Sequence, residues 1–224
     1  MKQSQEPIDT DDILKKLEAS FLVIYLTIVS IIQASVLGYL MIICSSNVDN
    51  INLLTIILLI TTFLVIVTVW HEYMMGAIAF FWIPRLRDST LPFIIGISEF
   101  LIVYNIFTHP FIWFYSLAVF CIVGLIAFFN MFSSAEKCNK NDIILKRVNV
   151  LKNFTMLLCL TYALFFILFG IILQFINSSI YMQFIAGSFS ILAFGIFLFR
   201  GILYWQKIVD APVGKQKKKS NKKQ

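Results

Sequence analysis

Long uncharged apolar runs, separated by short polar stretches, set the plan of this chain. Residues 21–44, 51–70, 111–132, 154–176 and 178–199 contain no Asp, Glu, Lys or Arg. Each run can form a helix that crosses the hydrocarbon core of a bilayer, which takes about 20 residues. A sixth run, 91–107, is shorter and holds Glu99, with charge on one side and His109-Pro110 on the other. The pattern predicts an all-α integral membrane protein, a six-transmembrane helix bundle with spans at about 21–44, 51–83, 91–107, 111–132, 154–176 and 179–205.

Outside the transmembrane domain, residues 21–208, lie an amino-terminal segment (1–20) and a polybasic tail (209–224). The segment carries five acidic side chains and no apolar stretch with a small-residue cleavage site, so it does not read as a signal peptide. Asp9 or Thr10 can cap a short helix with Ile13, Leu14, Leu17 and Phe21 on one side, an interfacial lead-in to the first span.

Composition sharpens the class. With 59% hydrophobic residues, 13% charged and 23 Phe among 224, the chain has too little polar surface to face water on all sides. Its 18 basic residues sort completely under the six-span alternation. They fall before span 1, between spans 2 and 3 (Arg85, Arg87), between spans 4 and 5 (Lys137 to Lys152) and at the carboxyl end from Arg200 on. The opposite connections have none. Basic residues stay in the cytoplasm, so both termini are expected there, in a plasma (inner) membrane.

That leaves a bare outer face and a decorated inner one. The connection 133–153 is expected to hold a short amphipathic helix starting near Asn141-Asp142, a docking surface for a cytoplasmic protein partner. In the tail, Lys215, Lys217, Lys218, Lys219, Lys222 and Lys223 suit anionic lipid headgroups or an acidic partner. Nothing beside them could stack on or read a base, which argues against nucleic acid. Ser30, Ala34 and Gly38 form a small-residue ridge for helix packing, within the bundle or in a homo-oligomer, and Ala186, Gly187 and Ser190 do the same in the last span.

Candidate chemistry rests on the few ionisable residues inside the spans, each costing roughly 3 kcal/mol to insert without a partner. These are Glu72, preceded by His71, and Glu99, with Asn105 and Gln33 as polar neighbours. Counted back from Pro84 and Pro92, Glu72 lies about 18 Å and Glu99 about 11 Å into the membrane, close enough for His71, Glu72 and Glu99 to cluster. Two such carboxylates favour holding a proton between them, as a relay requires. The competing reading puts Glu72 at the interface, solvated or paired with Arg85 or Arg87.

Enzyme readings fail on spacing. His71-Glu72 begins a zincin motif, but Met75 stands where the second ligand belongs. Ser98 and Ser188 lack a histidine base at a matching depth. Cys44, Cys121, Cys138 and Cys159 are scattered, without zinc-ligand spacing, and read as free thiols. No nucleotide, haem or flavin motif calls for a cofactor. His109-Pro110 is expected to form an outer turn, with Trp113 and Tyr115 as interface aromatics. The expected function is a small transporter or channel-like protein with a carboxylate-lined proton or cation pathway. The alternative is a non-transporting subunit that senses the membrane or anchors a cytoplasmic partner.

Overall fold

In the computed structural model of the chain, residues 10–79, 86–138, 142–175 and 180–209 are described. The polybasic tail, Asp9 and the Arg85 and Arg87 side chains lie outside the described residues. Six α-helices account for nearly all of the rest: α1 (Thr10–Ser46), α2 (Leu53–Ala79), α3 (Leu86–Tyr104), α4 (Pro110–Cys138), α5 (Asp142–Phe175) and α6 (Ile180–Val209). Short 3₁₀ turns, Val48–Asn50 and Asn105–Phe107, close two of the connections, and no strand occurs among the described residues. Each helix contains a stretch long and apolar enough to span a membrane: Val23–Ser46, Leu53–Ala77, Thr90–Phe107, Pro110–Ser134, Asn149–Phe175 and Ile180–Gln206.

Two connections differ from expectation. The segment 133–153 is not a loop bearing a separate helix: α4 continues to Cys138, and α5 starts at Asp142 and runs unbroken into its span. No Gly or Pro interrupts 142–169, and Asp142 suits the positive end of a helix, so nothing stops propagation. Pro92 lies inside α3 rather than at its start. It occupies the second turn, where few intrahelical bonds are lost. At the other end of the bundle, α4 starts on His109-Pro110 as expected, with the Ile112 and Trp113 amides donating to the His109 carbonyl. Trp113, near the start of this helix, is fully buried, with its ring edge-on to that of Phe114.

Helix neighbours do not simply follow chain order. α4 packs most closely on α5, α6 on α2, α3 on α4 and α1 on α3, whereas α6 touches its chain neighbour α5 much less. Small residues explain the α2–α6 contact. Ala186, Gly187 and Ser190 are buried, and a Cβ on Gly187 would come within 2.8 Å of Ile57 Cγ2. In hydrocarbon, such close backbone approach is a main source of helix–helix attraction. An aromatic seam joins α4, α5 and α6, in which Phe166 stacks on Phe194 with centroids 5.9 Å apart.

Ser30, Ala34 and Gly38, by contrast, are exposed, and nothing lies within 4 Å of where a Gly38 Cβ would be. The ridge on α1 does not pack within the chain's own bundle. Gly187→Leu is therefore expected to lower thermal stability in detergent by about 1–3 kcal/mol through overpacking. Gly38→Leu should leave it unchanged, and melting curves of the two variants side by side give the check.

Candidate functional site

Three polar stations occur at increasing depth. The first is on α2. Glu72 is five residues inside the end of the Leu53–Ala77 span, about 8 Å, and is 9% exposed. Trp205 of α6 donates its indole N–H to Glu72 Oε2 at 2.9 Å. His71 Nδ1 stands 3.6 Å from Glu72 Oε1. Gly201, one helical turn before Trp205, leaves the space that the carboxylate fills: a Cβ there would collide with Glu72 Oε1 and crowd His71. The α6 face that carries Gly201 and Trp205 is what positions Glu72.

Glu72 also lines a cavity of about 70 Å³, roughly the volume of two waters. All six helices reach it, through residues that include Tyr25, Thr68, Ile95, Cys121, Tyr162 and Phe197. Its walls are mainly apolar, and two of its hydroxyls are committed to backbone: Thr68 donates to the Leu64 carbonyl and Tyr162 to the Ala193 carbonyl. Cys121 and Cys159 are buried free thiols on the same wall.

The second station is Glu99, nine residues into the Thr90–Phe107 span, about 14 Å and hence at its middle. It is 1% exposed. Gln33, ten residues into the Val23–Ser46 span and so at matching depth, donates its amide N–H to Glu99 Oε2 at 2.8 Å. Glu99 Oε1 and Gln33 Oε1 are both buried without a donor. No cationic side chain among the described residues forms a salt bridge with Glu99. A carboxylic acid facing a primary amide can close a second hydrogen bond through such a pair of oxygens. Gly96, one turn earlier on α3, lets α1 approach, since a Cβ there would meet Ile32.

The third station closes the opposite end. Asn105 donates its amide to Ser116 Oγ of α4 at 2.9 Å and to the Leu101 carbonyl, while its own carbonyls hold the Thr108 hydroxyl.

Glu72 and Glu99 thus have separate partners, and no hydrogen bond among the described residues joins them. α3 begins before Pro92, and Glu99 lies at the middle of the Thr90–Phe107 stretch. Leu91 and Ile95, two turns and one turn before Glu99, line the same cavity as Glu72.

Sequence reasoning missed Trp205, Gly201 and Arg200. Arg200 was counted with the inner connections, yet it lies within the Ile180–Gln206 span and donates to Thr155 Oγ1 of α5 at 3.1 Å. Gly201 and Trp205 at four-residue spacing on one helix face were a signal that a bulky polar group could seat there, but nothing in the sequence said which.

The fold is all-helical among the described residues, with six helices long and apolar enough to span a membrane, as in a polytopic membrane protein. No family model, curated protein or solved structure matches the chain.

Removing the indole donor should expose the cost of a buried, unsatisfied carboxylate. Trp205→Phe is expected to destabilise the protein by about 1–3 kcal/mol. Glu72→Gln, which keeps an acceptor for Trp205, should cost less, and thermal unfolding of both variants measures the difference.

Proposed function

We propose that this protein is a small transporter or channel-like protein of the plasma membrane, with both termini in the cytoplasm, that moves protons along a path through Glu72 and Glu99. The single observation behind this reading is Glu99: a carboxyl group at mid-span, 1% exposed, with one amide partner, one free oxygen and no salt bridge among the described residues. An inert packing position would be met at far lower cost by an apolar side chain. Glu72 below it and Asn105 above it give polar groups along most of the span, each about 6–9 Å in depth from Glu99. The proton is favoured over a metal cation because the latter needs six or more oxygen ligands. Glu99 has a single amide as its neighbour, and Glu72 meets an indole, an imidazole and an apolar cavity wall.

A second reading is supported by the same bonds. Each polar pair joins two different helices, so the carboxylates can serve as clamps in a non-transporting subunit. Such a subunit would bind a cytoplasmic partner through the extended ends of α4 and α5, where Lys152 pairs with Glu136 at 3.0 Å.

Glu99→Gln separates the two, because an amide facing the Gln33 amide keeps the clamp but cannot carry a proton. In proteoliposomes with an internal pH dye, proton flux is expected in the wild type and should fall to the level of protein-free vesicles in Glu99→Gln, with melting temperature preserved. Equal flux in the two proteins, or none above protein-free vesicles in the wild type, would reject the pathway.

A further inference from the structure

Arg200 is a cation inside an apolar span without an anion. Ala193 marks the midpoint of Ile180–Gln206, and Arg200 lies seven residues beyond it, about 10 Å toward the end of the span. Its guanidinium lies 4.1 Å from the Phe154 ring centroid and 5.2 Å from that of Tyr204. One nitrogen, Nη1, donates to Thr155, while Nε and Nη2 have no acceptor. No carboxylate among the described residues comes within salt-bridge distance of Arg200, and Glu72 is held by Trp205 instead. A guanidinium presents its donors as a planar fork that matches a phosphate.

The same residue closes one end of a groove on the outer face of α2 and α6. The groove is lined by Leu64 of α2 and by Leu192, Gly195, Ile196 and Phe199 of α6, and it ends at Arg200, Leu203 and Tyr204. From Ile191 to Tyr204 it covers α6 from the middle of its span almost to its end, about 20 Å. One leaflet contributes about 15 Å of hydrocarbon and a headgroup layer above it. Gly195 forms part of the floor, with open space where a side chain would be.

We propose that Arg200 and this groove bind one anionic phospholipid, whose phosphate meets the guanidinium fork and whose acyl chain lies along α6 between Leu64 and Phe199. The groove is one leaflet deep, is apolar along its length and ends in an unpaired cation, which is the charge and shape order of a phospholipid. Tyr204 both covers the guanidinium and lines the groove, so its ring is the side chain that turns aside to admit the phosphate. Buried arginines draw headgroups inward by local thinning of the bilayer, which closes the remaining few ångströms. The site is separate from the lysine-rich tail, which lies beyond the span and offers charge without a groove.

Native mass spectrometry of the full-length protein, equilibrated in detergent with an equimolar mixture of phosphatidylglycerol and phosphatidylcholine, tests this. The wild type should retain one phosphatidylglycerol in preference to phosphatidylcholine. Arg200→Gln removes the fork, and Gly195→Leu fills the groove without touching Arg200, its new side chain projecting into open space. Both should lose the retained lipid, and Gly195→Leu should do so while keeping the wild-type melting temperature in detergent alone. Deletion of residues 215–224 should leave retention intact. Absence of preference in the wild type, unchanged retention in either substituted protein, or loss on deletion of the tail would overturn the site.

Discussion

A polar side chain within hydrocarbon has no water to turn to, and that constraint organises this bundle. Most hydroxyls meet it locally: Thr27, Ser35, Thr61, Thr62, Thr68, Thr161 and Ser190 each donate to the carbonyl four residues back on their own helix. Such residues carry little information about tertiary structure. Carboxyl and guanidinium groups, and several amides and indoles, instead reach another part of the bundle. Gln33–Glu99 joins α1 to α3, Trp205–Glu72 joins α6 to α2, Asn105–Ser116 joins the turn after α3 to α4, and Arg200–Thr155 joins α6 to α5. The cross-helix bonds therefore fix rotation and depth in a bundle whose apolar faces would otherwise pack in several registers.

Those bonds coincide with close backbone approach. Gly96 lies one turn from Glu99 and lets α1 come near enough for Gln33 to reach it. Gly201 lies one turn from Trp205 and makes room for the Glu72 carboxylate. In both cases a glycine on one helix and a long polar side chain on the other act as a unit. Van der Waals packing brings the backbones together, and the polar pair holds them at one depth.

Much of the architecture was legible in the sequence because hydrophobic length and charge are local properties. Six helices long and apolar enough to span a membrane occur, and Glu99 is buried at the middle of one of them. The partners were not legible. Gln33 and Glu99 are 66 positions apart and Glu72 and Trp205 are 133 apart, and pairing depends on helix rotation, which an almost uniformly apolar sequence does not encode. Pro92, used as a ruler for the base of the third span, lies within α3 rather than at its start.

α6 unites these features. Arg200 and Gly201 are consecutive, one stacked on Phe154 of α5 and the other against the Glu72 carboxylate of α2. A rigid helix cannot shift one without the other, so any sliding or rotation of α6 that alters the Arg200 contacts also alters the space available to Glu72. α6 touches α5 little and packs mainly on α2, so the Arg200–Thr155 bond and the Tyr162–Ala193 bond are the polar restraints on that side among the described residues. A phosphate that drew the guanidinium away from Thr155 would loosen one of them.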